Sequence, residues 1–226
     1  MKNATKTSTP SRKRRYDGEG RREQAAARQR RVIDEARRLF LEVGYGATSI
    51  EAIAAAAGVS VQTVYAVFVS KAGVLARVID VAIGGDDQDV MVRDRPEFRA
   101  LLEAPDPETF VRAAVRHGRA VHQRSGRILH LLDSVAGTDP ALAALAADLR
   151  RQTRDESGYL VDHVPESWFR PGLSRDERIA ITLLLGYHQT WWTLTQEEGW
   201  SGRRYEAFLV KVLLRELFGD TDRAST

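Results

Sequence analysis

Apolar residues recur at helical spacing along most of the chain, and the pattern breaks where glycine, proline or a capping residue stands. The first clear stripe is Val32, Ala36, Leu39 and Val43, with Ile33 and Phe40 beside it. It predicts a helix from about Arg22 that stops at Gly44, a residue suited to the left-handed cap. Thr48 followed three residues later by Glu51 reads as a capping box that opens a short helix ended by Gly58. Ser60 caps another short helix to about Val67. Ser70 caps a fourth to about Ile83, ahead of Gly84-Gly85. Residues 86–105 carry no sustained period and read as a connection. Beyond them, Asp106-Pro107 opens a helix to about Arg124, and a short one covers Arg127 to Val135. Asp139-Pro140 opens another to about His163. Ser174 with Glu177 starts a long helix ending near Glu198, and Ser201 opens the last, stopped by Gly219. No alternating run marks a strand, so the expected fold class is all-α.

The densest local signal is residues 49–68, SIEAIAAAAGVSVQTVYAVF. Two short helices that cross steeply need small or apolar residues inside and a tight turn between them. Ala54 permits close approach, Ile53, Ala57, Val59, Val64 and Val67 form the expected inward set, and Gly58 supplies the turn. Ser60, Val61, Gln62, Thr63, Tyr65 and Ala66 are left on the outside of the second helix. Their chemistry fits a major groove: Gln62 with an adenine edge, Thr63 with a base or phosphate, Val61 with a thymine methyl, Tyr65 with a phosphate oxygen. Thr48 and Lys71 stand at the starts of flanking helices, where free N–H groups favour phosphate. An ordinary helical hairpin would show the same alanine-rich packing, so this pattern alone leaves both readings open.

Charge is unevenly spread. The net charge is only +3, yet residues 1–47 hold 13 Lys/Arg against 6 Asp/Glu. A basic front on a mildly acidic body is expected where a protein meets a polyanion. Residues 1–22 are too polar to bury a core and read as a disordered tail, in which Arg12, Lys13, Arg14 and Arg15 are candidates for extra DNA contacts. The absence of cysteine excludes disulfides, thiolate metal sites and cysteine nucleophiles. No apolar run reaches membrane-spanning length, and neither a secretory leader nor the motifs of hydrolases, zinc proteases or nucleotide-binding enzymes occur. The expectation is a protein that is not an enzyme, holds no cofactor or metal, and has no membrane partner.

The segment GYGATSIEAIAAAAGVSVQTVYAVFVSKAGVL, Gly44 to Leu75, resembles the DNA-binding region of the tetracycline-repressor (TetR) family. The matching positions are Gly44-Tyr45, Thr48, Ile53-Ala54, Ala57 to Ser60, Thr63, Tyr65, Phe68, Ser70-Lys71 and Leu75. Where the family often carries a phosphate-holding histidine, this chain has Val67, and where glycine is common it has Gln62. The resemblance implies a cytoplasmic bacterial homodimer that reads a pseudo-palindromic operator in double-stranded DNA and is released by a small-molecule effector. It also implies an organisation into a helix-turn-helix domain (23–70), a connecting helix (71–85) and a helical ligand-binding and dimerisation domain (86–226). A regulator that takes no ligand and answers to a protein partner is the alternative.

In the C-terminal body, residues 175–198 are apolar on nearly all sides, as a helix buried on nearly all sides must be. The resemblance implies that the last two long helices pair across a dimer, with Leu184 and Trp192 of this helix and Phe208, Val212 and Leu213 of the last as the expected contacts. Candidate pocket residues are His117, Val121 and His122, Tyr159 and His163, and Tyr187, His188 and Trp191. They combine apolar or aromatic walls with a few polar groups.

Overall fold

The computed structural model describes residues 12–88, 90 and 92–219, with side chains described from residue 20 onward. Helix α1 spans Arg12–Glu42. It begins ten residues before the expected start near Arg22, so residues 12–22 are helical where a disordered tail was expected. Five of these eleven residues are arginine, joined by Lys13 and Glu19, and they outweigh the poor helix formers Gly18 and Gly20. Extending an existing helix through such residues avoids the cost of a new nucleus. The rest of the expected tail, residues 1–11, lies outside the described residues.

The next three helices follow the capping signals, with one shift. Helix α2, Ile50–Ala57, is capped by Ser49, whose side chain accepts from the Ala52 N–H, and not by Thr48. Gly58 closes it at φ 65°. Helix α3, Val61–Phe68, is capped by Ser60, and α4, Lys71–Gly84, by Ser70. Helices α2 and α3 meet at 108°, within the range of a helix-turn-helix. Phe40, Ile53, Val64, Val74, Leu75 and Ile79 are almost wholly buried between these four helices.

This first core does not end with α4. Ile128, Leu129 and Leu132 from helix α6, and Leu142 and Ala146 from helix α7, complete it. Polar contacts reinforce the junction. Arg37 of α1 donates to the Arg124 carbonyl at 2.6 Å. The Arg124 guanidinium donates to the Ala82 and Ile83 carbonyls at 3.4 and 2.9 Å. Those carbonyls belong to the last turn of α4, which has no helical partners of its own. Arg77 holds the Asp87 carbonyl at 2.7 Å, Arg30 the Asp87 carboxylate, and Arg95 grips Asp86 through two bonds.

The connection read across residues 86–105 contains structure: a 3₁₀ turn, Val92–Asp94, and helix α5, Pro96–Leu102. Proline at the first helical position and two buried side chains, Phe98 and Leu101, define α5. Seven residues are too few for a period to show. Helix α6 runs unbroken from Pro107 to Val135, where two helices were expected. Ser125-Gly126 resembles a stop, but the Ser125 hydroxyl donates to the Val121 carbonyl within the helix. Gly126 is small because Trp191 packs on it; a Cβ there would overlap the Trp191 ring. Helix α7 is Pro140–His163.

The expected long helix from Ser174 is instead broken. Its capping box is intact, with Ser174 and Glu177 bonded reciprocally, but α8 stops at Gly186. Tyr187 is extended (φ −77°, ψ 149°), after which α9, His188–Trp192, and a π-turn over Thr193–Glu197 follow. The imidazole Nε2 of His122 donates to the Gly186 carbonyl at 2.9 Å, satisfying an acceptor freed by the break. Helix α10, Gly202–Leu213, passes into a π-turn ending at Gly219. Phe110, Val115, Ile179, Trp191, Tyr205 and Leu209 form the second core. No strand occurs among the described residues.

Candidate nucleic-acid interface

The outer surface of α3 is built by its own cap. The Ser60 hydroxyl accepts from the Thr63 N–H at 3.1 Å and pairs with the Thr63 hydroxyl at 2.8 Å. This orients both side chains at the front of the helix, beside the half-buried Val61 and the exposed Gln62. Tyr65, Ala66 and Val67 continue the exposed face. Tyr65 and Val67 each have 47% of their surface exposed. Val67 therefore departs from the expected inward set, whereas Val64 is buried. An eight-residue helix places only two turns inside, and those inward positions are taken by Val64 and Phe68.

Two expected phosphate contacts are committed elsewhere. Thr48 is only 3% exposed, and its hydroxyl donates to the Gly44 carbonyl at 2.8 Å. It closes the turn between α1 and α2 instead of facing outward. Lys71 folds back over the same turn. Its ammonium donates to the carbonyls of Tyr45 (2.9 Å) and Thr48 (3.0 Å) and lies 4.3 Å from the centre of the Tyr45 ring. Lysine adjacent to a helix cap looks like a surface charge in sequence; here it staples α4 to the α1–α2 turn across 26 residues of chain.

The turn from α3 to α4 is strained. Val69, a β-branched residue, sits at φ 64°, ψ −42°, and the Ser70 N–H donates to the Phe68 carbonyl across it at 2.6 Å. Val69 is 80% exposed, so no burial offsets this. Gly73 is required beneath the turn, because a Cβ there would collide with the Phe68 carbonyl. Nothing in the sequence marked Val69. On α1, Arg22, Arg28 and Arg31 are exposed and add positive charge to the same unit. The backbone of Arg12 to Arg15 belongs to α1; their side chains lie outside the described residues.

Residues 32–78 match the family model described as bacterial regulatory proteins, tetR family. Those residues carry the domain that this family model describes. That domain is set in an all-helical fold. No curated protein sequence matches the chain. Among solved structures, NalD of Pseudomonas aeruginosa, the secondary repressor of the MexAB-OprM multidrug efflux pump, superimposes with a TM-score of 0.65 at 20% identity, covering 88% of this chain and 99% of NalD. A tetR-family regulator from Syntrophomonas wolfei gives 0.65 at 15% identity, covering 83% and 93%. A regulator from Saccharomonospora viridis, solved with choline, gives 0.61 at 16% identity, covering 84% and 96%.

The pocket candidates fall into two clusters. In one, the His117 ring meets Phe98 edge-on at 5.9 Å, Phe98 lies 6.1 Å from Tyr159, and Tyr159 stacks on His163 at 3.9 Å. Burial lowers the His117 pKa, and nearby Arg124 lowers it further. In the other, His188 is held by Asp133 at 2.7 Å, and Tyr187 lies 4.3 Å from the His188 ring. His122 bridges to Gly186, its pKa pushed down to about 4, mainly by burial. Val121 is half-buried and Trp191 is core, packed on Gly126. Phe98 was not anticipated, because α5 was read as a connection. Among the described residues no group of His, Asp or Glu is arranged to hold a metal, and no single helix is long and apolar enough to cross a membrane.

A cavity of about 50 Å³ lies elsewhere, between Phe110, Val111, Val164, Phe169, Leu213 and Phe218. Its one polar side chain, Thr182, donates its hydroxyl to the Arg178 carbonyl. Of the expected dimer contacts, Leu184 is 71% exposed and Phe208 also stands out, Val212 is half-buried, and Trp192 stacks on His130 at 3.8 Å. Leu213 is buried in the second core and lines the cavity. It shares that lining with Phe110 and Phe169 and so is core, not dimer contact.

Proposed function

We propose that the protein is a homodimeric repressor that leaves a pseudo-palindromic operator when a small molecule binds its C-terminal body. The observation that carries the reading is the surface of α3. Ser60, Gln62, Thr63 and Tyr65 stand on the front of a helix set steeply against α2, a geometry suited to the major groove. The exposed apolar side chains Leu184 on α8 and Phe208 on α10 fit a shared face between two copies. Such a dimer would place two reading helices about 34–36 Å apart.

The ligand response is supported by the junction. Arg124 stands on α6, the helix that also carries His117 and His122, and it caps the end of α4. A ligand that shifts α6 therefore acts on the helix that sets the reading head. It favours release only if it binds the DNA-free geometry more tightly. A solved relative in fold holds choline, and another is a repressor of an efflux pump.

The test is fluorescence anisotropy of the full chain on the DNA flanking its own gene, with scrambled DNA as competitor near 0.15 M salt. Tight binding that scrambled DNA cannot displace, and that is lost when a screened ligand is added, is the expected result. Binding competed equally by scrambled DNA would overturn the operator reading. Sequence-specific binding that no ligand stabilising the protein can alter would overturn release.

A further inference from the structure

The cluster around Phe98 contains two polar atoms that the fold itself does not satisfy. Oε2 of Glu156 and Nε2 of His117 are both buried without a hydrogen-bond partner. Glu156 lies one turn before Tyr159 on α7, and Phe98 touches both the Tyr159 and His117 rings. Buried carboxylate oxygens are costly unless something positive or donating reaches them. Here burial holds the Glu156 pKa above the usual carboxylate value, against the opposing pull of Arg93. Asp94 and Asp155 add further negative charge around it.

The surroundings also show what fits. The Arg93 guanidinium lies 5.9 Å from the centre of the Tyr159 ring. A planar cation over an aromatic face, beside a desolvated carboxylate, is a favourable arrangement. Aromatic walls beside the buried, unpartnered Glu156 carboxylate oxygen favour a cation over an anion. The neutral His117 ring adds a nitrogen that can accept one N–H.

We propose that the Phe98–His117–Glu156–Tyr159 cluster binds a planar organic cation of the aryl-guanidinium class, which takes the place of the Arg93 side chain over Tyr159. The proposal rests on the ligand-response reading above and names its chemistry. Arg93 belongs to the 3₁₀ turn between α4 and α5. Two residues on, Arg95 is locked to Asp86, and Asp87 is held by Arg30 of α1. Displacing Arg93 therefore pulls on the segment that anchors the end of α4.

The test is isothermal titration of the full chain with phenylguanidine and with phenylurea, its uncharged isostere. Phenylguanidine is expected to bind saturably and phenylurea about tenfold more weakly, as loss of a charged partner at a desolvated carboxylate requires. Glu156→Gln is expected to weaken phenylguanidine about tenfold and leave phenylurea unchanged. Arg93→Ala is expected to tighten phenylguanidine severalfold by removing its internal competitor. Equal affinity for the two compounds, an unaltered Glu156→Gln, a weakened Arg93→Ala, or no binding of phenylguanidine would each overturn the site. The comparison of the two compounds on the unaltered chain needs no variant to fold. The same titration on labelled promoter DNA separates the two readings. Phenylguanidine that binds without releasing DNA leaves this site standing and removes it as the release switch. Release by other compounds, with no phenylguanidine binding, does the reverse.

Discussion

Replacing Val69 with glycine should make the protein more stable, although it removes a large apolar side chain. Val69 holds φ 64° in the turn between α3 and α4 and is 80% exposed, so its isopropyl group contributes little packing. A β-branched residue in this region costs about 1–3 kcal/mol, because Cβ and its branches crowd the neighbouring carbonyls. Glycine removes that cost but loses about 0.5–1 kcal/mol more backbone entropy on folding. The net expectation is a gain of about 1 kcal/mol, or about 2–4 °C in the thermal midpoint of a chain of this size. Guanidinium titration followed by circular dichroism gives the first quantity and a thermal scan the second. Val69→Ala is the control. It keeps a Cβ at positive φ and should recover only part of the gain. A less stable Val69→Gly, or a Val69→Ala that gains as much, would refute the argument from backbone strain.

Three further outcomes follow from other contacts. Lys71→Met keeps the alkyl stem but loses two ammonium–carbonyl bonds, and should cost about 2 kcal/mol in the same titration. Gln62→Ala and Tyr65→Ala should each weaken operator binding by about tenfold in anisotropy, with the denaturation midpoint unchanged, since both side chains are exposed. His122 has a folded pKa of about 4 against an ordinary 6.5, so the unfolded chain takes up its proton first as pH falls. The stability tied to the neutral ring is complete above the ordinary value and is lost between about pH 6.5 and 4, by about 3 kcal/mol. His122→Gln should flatten that limb of the stability–pH curve; an unchanged limb would place the titration elsewhere.

Helix starts were legible because a cap is a local device. Ser60, Ser70, Asp106, Asp139, Ser174 and Ser201 all cap the helices their side-chain chemistry announces. The choice between Thr48 and Ser49 was not, since either hydroxyl could serve and only the burial of Thr48 decides it. The expected break between Arg124 and Arg127 does not occur, and the packing partner of Gly126 there, Trp191, lies far along the chain. The reverse happened at Gly186 and Tyr187, where a strong apolar pattern concealed a break that His122 repairs from another helix. The face of α3 could be read directly, as its polar residues have nothing to pack on. Lys71 could not, because its two acceptors lie on a turn more than 20 residues earlier.

The first core has a consequence for modularity. The four N-terminal helices look like a cassette, but Ile128, Leu132, Leu142 and Ala146 sit in their interior, and Arg124 closes the last turn of α4. A chain cut after Gly85 would expose the apolar faces of Leu75, Val78 and Ile79 and leave the Ala82 and Ile83 carbonyls to water. The reading head is therefore not a transplantable part. A chimaera that grafts it onto another sensor must carry the second half of α6 and the start of α7 with it.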